Sequence, residues 1–196
     1  MNIYALQPND AHVLPGRNLD VWLADGKEVK SLRFRGRQGA VHPSYIDVEV
    51  ERALDGVTDL PFCERSLPMF SRRLLDRLLE VGPIRHAWVP ARMSLRDNPG
   101  QRISSDYGFV DVAVISGVID QEKSVLRMMS MFPDKIASVD RLVMTQEVDL
   151  PPLFRLEEWG QLLVTELAFR HLFGAKIAGV ECRNLSEMSQ VGLVVT

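Results

Sequence analysis

Apolar and polar residues alternate with a period of two over residues 45–51, YIDVEVE. Ile46, Val48 and Val50 fall on one side, with Asp47, Glu49 and Glu51 on the other. That is the pattern of a strand covered on one face. Residues 32–35, LRFR, alternate in the same way and put Arg33, Arg35 and the following Arg37 opposite the apolar groups. Further apolar runs at 2–6, 18–23, 84–89, 107–116, 141–145 and 177–182 also read as strands. Their stops are Pro8 with Asn9-Asp10, Asp25-Gly26 and Pro90, residues that break a ladder or favour a turn. Residues 93–105, centred on Asp97-Asn98-Pro99-Gly100, read as a polar loop, and so does 59–68 with its two prolines. The run 123–131 fits either a strand or a short helix, and its Met128, Met129 and Met131 read as adaptable core filler.

Helical periodicity appears twice. After Ser71, the residues Leu74, Leu75, Leu78, Leu79 and Val81 form one apolar stripe. Ser71 can cap the first turn through its hydroxyl, and Gly82-Pro83 ends the helix, glycine tolerating left-handed geometry and proline being unable to continue. A second, shorter helix runs from Thr165, again a hydroxyl cap, to Phe173, with Gly174 after it. The two units echo each other: an aromatic or apolar residue, a hydroxyl cap, a helix, a glycine, then a strand. Shared capping chemistry accounts for the echo more simply than duplication does. Strands outnumber helices and the helices do not alternate with them. The pattern therefore predicts an α+β fold with a mixed, largely antiparallel sheet and a few short helices. No shift of composition marks a linker, so residues 1–196 read as one unit, with residues 1–60 as a β-rich subregion.

Composition narrows the class without naming a function. Of 196 residues, 46% are hydrophobic and 25% charged, the balance of a globular chain rather than a disordered one. A net charge of −3 gives no electrostatic reason to expect non-specific binding of nucleic acid or of an anionic membrane. The start, MNIYALQPND, has neither a basic region nor a long apolar run, and no apolar stretch approaches the ~18 residues of a membrane span. Cys63 and Cys182 belong to no CxxC pair and read as two free thiols. These features lead to the expectation of a cytoplasmic protein.

Candidate chemistry is sparse. No GxSxG, HExxH, GxGxxG or Walker A pattern occurs, and His12, His42, His86 and His171 lack metal-ligand spacing. No catalytic, cofactor or metal residue is therefore assigned. Two features remain. Asp47, Glu49 and Glu51 can serve as an acidic strip for a basic partner, or can pair with Arg33, Arg35 and Arg37 in a structural ladder. Asp120, Lys123 and Ser124 can bracket a turn between strands, or can mark a small-molecule or catalytic site without a recognised motif.

The order of elements over residues 66–185 carries a resemblance. It begins with MFSRRLLDRLLEVG and IRHAWVP, then a tyrosine-bearing strand leading to DVAVISGVIDQEKS. DRLVMTQ follows, and then LFRLEEWGQLLVTELAFRHLFGAKIAGVEC. Within it are Phe154-Arg155, a short apolar strand at 162–164, the cap Thr165 and the late Gly179. This arrangement resembles the immunity-protein family of bacterial polymorphic toxin systems, the Myxococcus-type immunity domain. Thr165 stands where serine is commoner, which preserves the cap. The resemblance implies a non-enzymatic protein that binds and neutralises a cognate toxin encoded by a neighbouring gene, with no catalytic residue and no cofactor. Self-association is compatible with it. Trp22, Trp88 and Trp159 are candidate aromatic anchors, although core positions are their simpler reading. The alternative is an enzyme or small-molecule-binding protein.

Overall fold

The computed structural model describes residues 2–9, 21–24, 41–54, 58–61, 63, 67–103, 106–145, 149–175, 177–186 and 192–195. Strands dominate, and the sheets are mixed but largely antiparallel. In chain order the strands are β1 (Ile3–Pro8), β2 (Val21–Leu23), β3 (Ile46–Val50), β4 (Met69–Ser71), β5 (His86–Leu95), β6 (Asn98–Ile103), β7 (Tyr107–Val112), β8 (Val114–Ile115), β9 (Val125–Met128), β10 (Ile136–Arg141), β11 (Leu153–Leu156), β12 (Leu162–Thr165), β13 (Val180–Asn184) and β14 (Gly192–Val195). The helices are α1 (Arg72–Val81) and α2 (Glu166–Phe173). One sheet runs β14–β13–β1–β12–β11–β8, a second runs β2–β3–β5–β7–β4 with β6 on β5, and β9 with β10 forms a hairpin. Among the described strands the parallel pairs are β3 with β5 and β8 with β11. Only Ala113 separates β7 from β8. Its N–H donates to Arg85 and its carbonyl accepts from Arg155, so one stretch of chain ties the two large sheets together.

The echo between the helical units extends to topology. β4 and β5 flank β7, and β12 and β13 flank β1, the middle strand being antiparallel to both neighbours in each case. Each unit is thus a split β-α-β, and the two helices pack together. Phe70, Leu74, Leu75 and Leu78 from one unit and Val164, Ala168, Phe169 and Leu172 from the other share one core. Alternate residues of the first sheet point away from the helices. Ile3, Ala5, Phe154 and Leu163 meet Ile136, Val139 and Leu142 in a second core on the opposite face. Coverage on both faces explains why β1 is apolar without alternation. A third core lies between β3, β5 and β7, where Ile46, Val48 and Val50 pack with Met93 and Phe109.

Both helices start as their sequences direct. Ser71 Oγ accepts from Leu74 N–H at 3.1 Å, and Thr165 Oγ1 accepts from Ala168 N–H at 3.4 Å. Thr165→Ala removes that acceptor and is expected to cost about 1 kcal/mol in urea unfolding. The helix ends differ from expectation. Gly82 is extended at φ 166°, and Gly174 is right-handed at φ −80°, so neither uses left-handed geometry. Pro83 is enough to stop α1, because its ring cannot continue the helix.

Four further expectations are corrected. β5 passes through Pro90, which lies where its pairing shifts from β7 to β3, a ladder junction that tolerates a missing N–H. The expected loop at 93–105 is a hairpin turning at Arg96-Asp97, with Pro99 on an outer strand. The strand expected at 141–145 lies earlier, as β10, and leaves only an isolated Ile119–Met144 bridge there. Met128, Met129 and Met131 are not core filler: they are 41%, 43% and 81% exposed. The segment carrying Arg33, Arg35 and Arg37 lies outside the described residues, as does His12.

Candidate interaction surface

The β9–β10 hairpin follows from local pairing. Ile136 pairs with Met128 and Val139 with Leu126, and Met129 N–H donates to the Lys135 carbonyl at the turn. Ile136 and Val139 anchor the hairpin in the core, with Leu126 packed against them. The tip stays outside. Met128, Met129, Met131 and Phe132 lie within five residues at the turn end, and all are exposed, Phe132 by 56%, while exposed Val125 pairs with Arg141 at the opposite end. Methionine packs readily against irregular partners, and a cluster of large exposed apolar side chains commonly marks an interface. Arg127 and Asp134 are exposed beside them, which gives the apolar tip a polar rim.

The acidic strip has a different character from the one its sequence suggests. β3 lies between β2 and β5, so both of its edges are occupied. The described partner of Asp47 is Arg92 on β5, through bonds of 2.8 Å from Nε and 2.6 Å from Nη2. The Arg92 guanidinium also lies 3.1 Å from the centre of the Tyr45 ring. Arg92 holds the Asp47 carboxyl below its usual range, opposed by partial burial and helped by Arg102. Its stabilising contribution is therefore full above the ordinary pKa of 3.8 and is lost as the pH falls through the lowered value. Asp47 is 42% exposed, so solvent screening keeps this contribution within about 1 kcal/mol. Glu49 sits in register between Trp22 and Ser94, and Arg96 stacks over Trp22 at 4.2 Å. Glu51 is exposed just beyond β3. Asp47, Glu49 and Glu51 thus belong to a mixed face bearing arginines and aromatic rings rather than to a purely acidic one.

Asp120, Lys123 and Ser124 form a bracket. Asp120 accepts from Lys123 N–H at 3.1 Å and from Lys123 Nζ at 2.8 Å. Ser124 Oγ donates to the Val143 carbonyl at 3.2 Å and accepts from Val143 N–H at 2.9 Å. Lys123 lowers the pKa of Asp120 and is itself raised by it. The polar atoms of these residues bond one another and the backbone of Val143, just past the end of β10.

Sequence reasoning missed two buried acids. Asp59, 2% exposed, accepts from Ser71 Oγ, from Arg73 and from Ala178 N–H. Asp111, 4% exposed, lies 3.3 Å from His42 Nε2 and acts electrostatically on Arg155. Neither belongs to a motif. The chain brings each to its partners from distant positions. Trp88 and Trp159 pack at core margins, and Trp22 is half-buried. Cys63 and Cys182 are both buried, and burial pushes Cys182 up to about 12, which leaves it unreactive. Among the described residues no group of acidic, histidine or cysteine side chains is arranged to hold a metal ion, and no helix is long and apolar enough to cross a membrane.

No protein-family model matches the chain, and no curated protein matches it.

Proposed function

We propose that this chain is a cytoplasmic, non-enzymatic immunity-type protein that binds a cognate toxin and neutralises it by occlusion. The observation that carries the binding role is the exposed tip Met128, Met129, Met131 and Phe132 on a hairpin whose base is anchored in the core. The identity of the partner class rests on the order of elements over residues 66–185 and their resemblance to immunity proteins. Met131 and Phe132 act as apolar anchors in a contact of about 1,600 Å² in total, with the polar rim excluding water around them. The mixed face of Asp47, Glu49 and Glu51 contributes to steering, which charge at a rim affects more than it affects final affinity.

The test is co-expression with the product of the neighbouring toxin-like gene, followed by purification of the complex. Met131→Ser with Phe132→Ser is expected to weaken binding at least about tenfold, equivalent to ~1.4 kcal/mol. The melting temperature should hold, because both side chains are mostly exposed. Unchanged affinity would remove the hairpin from the interface. Failure of the unmodified protein either to rescue cells or to form the complex would overturn the toxin-binding reading. Reversing the charge of Asp47, Glu49 and Glu51 is expected to slow association and flatten its salt dependence.

A further inference from the structure

Six methionines lie among the described residues, and they divide by place in the fold. Met69 and Met93 are buried in the core between β3, β5 and β7, and Met144 is buried in the core beneath the β9–β10 hairpin. Met128, Met129 and Met131 are exposed, and all three stand within four residues at the turn end of that hairpin. Exposure puts a thioether within reach of oxidants in solvent, whereas a buried one waits for the chain to open. The reaction needs no base and no activating neighbour. The sulfur lone pair attacks one oxygen of hydrogen peroxide, the O–O bond breaks, and the other oxygen takes up the displaced proton and leaves as water. Sulfur loses two electrons and the peroxide gains them. The product, methionine sulfoxide, is polar and accepts hydrogen bonds.

What holds the hairpin lies elsewhere. Ile136 and Val139 sit in the core. Met129 N–H donates to the Lys135 carbonyl at 2.8 Å and Ile136 N–H to the Glu158 carbonyl at 2.8 Å, while Lys135 Nζ reaches the Glu157 carbonyl at 3.1 Å. None of these contacts uses a thioether, so oxidation of the three sulfurs falls on what the tip touches rather than on the fold. Against an apolar partner surface a sulfoxide oxygen must shed its water, and a buried acceptor left without a donor carries a desolvation cost. Both cysteines with described surroundings, Cys63 and Cys182, are buried, so thiol oxidation does not compete at the surface.

We propose that Met128, Met129 and Met131 form a reversible oxidation site, through which hydrogen peroxide loosens the hold of the hairpin on its protein partner. The consequence rests on the toxin-binding reading of the tip, and the chemistry rests on exposure alone. Reversal is the work of methionine sulfoxide reductases. Two thiols of the reductant supply two electrons and two hydrogens, the sulfoxide oxygen leaves as water, and the thiols close to a disulfide.

The test has two arms. In the first, the full chain alone is treated with hydrogen peroxide, and sulfoxide at each methionine is followed by peptide mass spectrometry. Met128, Met129 and Met131 are expected to react at least about tenfold faster than Met69, Met93 and Met144. Equal rates across the six would overturn the proposal. In the second arm the peroxide is removed, and the affinity of the treated chain for the product of the neighbouring toxin-like gene is measured. It is expected to fall at least about tenfold with the melting temperature unchanged. Methionine sulfoxide reductases with dithiothreitol should restore it, and dithiothreitol alone should not. In a chain carrying Met128→Leu, Met129→Leu and Met131→Leu, peroxide should leave the affinity at whatever value it has before treatment. Full affinity in the oxidised unmodified chain would overturn the proposal and leave the toxin-binding reading intact. So would a peroxide-dependent loss that persists in the leucine variant, or a loss matched by a fall in melting temperature. An untreated chain that forms no complex would overturn the toxin-binding reading and this control of it together. Where the leucine variant fails to fold, reversal by the reductases on the unmodified chain still decides.

Discussion

Asp59→Ala is expected to destabilise the fold by about 3 kcal/mol, among the largest effects of any single polar substitution in this chain. The reason is the number of separate elements that meet at one carboxylate. Ser71 donates its hydroxyl to Asp59 while capping α1, and Arg73 in the first turn of the helix reaches the same carboxylate through Nε at 3.1 Å and Nη2 at 2.5 Å. Ala178 N–H, just before β13, donates to the other oxygen at 2.8 Å. The backbone of Asp59 bonds the same two places, its N–H donating to the Ala178 carbonyl and its carbonyl accepting from Ser71 N–H, each at 2.7 Å. Asp59 therefore fastens one split β-α-β unit to the other. Alanine would leave the Ala178 N–H and the Ser71 hydroxyl without this acceptor inside the fold. Arg73 is 48% exposed and would recover water, so the full cost of breaking a buried ion pair does not apply. For a chain of this length the loss corresponds to a fall in melting temperature of roughly 6–12 °C. Asp59→Asn keeps one acceptor and should fall between the two. A urea-unfolding difference under ~1 kcal/mol for Asp59→Ala would show that the junction is held by the backbone bonds alone.

Gly179→Ala is expected to cost a similar amount, about 3 kcal/mol, and Gly117→Ala only about 1 kcal/mol. Both glycines have positive φ, +65° and +69°, so an L side chain is strained at either. They differ in their surroundings. A Cβ on Gly117 meets nothing within 4 Å, whereas one on Gly179 would come within 2.6 Å of Thr58 Cβ and 3.0 Å of its Cα. Thr58 cannot swing aside freely, because its Oγ1 accepts from Leu60 N–H at 3.2 Å next to the Asp59 junction. The difference between the two unfolding free energies isolates the steric cost from the cost of φ, and equal values would mean that Thr58 gives way. Thr58→Gly in the Gly179→Ala background should recover part of the loss.

Local signals read well wherever the physics was local. The caps Ser71 and Thr165 needed only a hydroxyl one turn from an orphan amide, and both helices start there. The alternation of Ile46, Val48 and Val50 produced a strand with those residues 0–3% exposed. Proline and glycine read less well. By sequence Pro90 stops a strand and Pro99 centres a polar loop, yet each lies where its strand has no neighbour needing that N–H, a property of sheet order rather than of sequence. Met128, Met129 and Met131 depart furthest from the core position their sequence predicts. Composition cannot distinguish an apolar residue that fills a core from one held out on a hairpin tip.

The amino-acid sequence by itself determined the secondary-structure class, the two capped helices and the buried face of β3. All of these follow from interactions within a few residues or from average transfer free energies. Tertiary structure alone decided which strands became neighbours, and with that every feature proposed to act. It paired Asp47 with Arg92, 45 positions away, brought Asp59 to Ala178 across 119 positions, and lifted Met131 and Phe132 clear of the core. Contacts between distant residues depend on the order and register of strands, which the alternation of side chains along one strand does not encode.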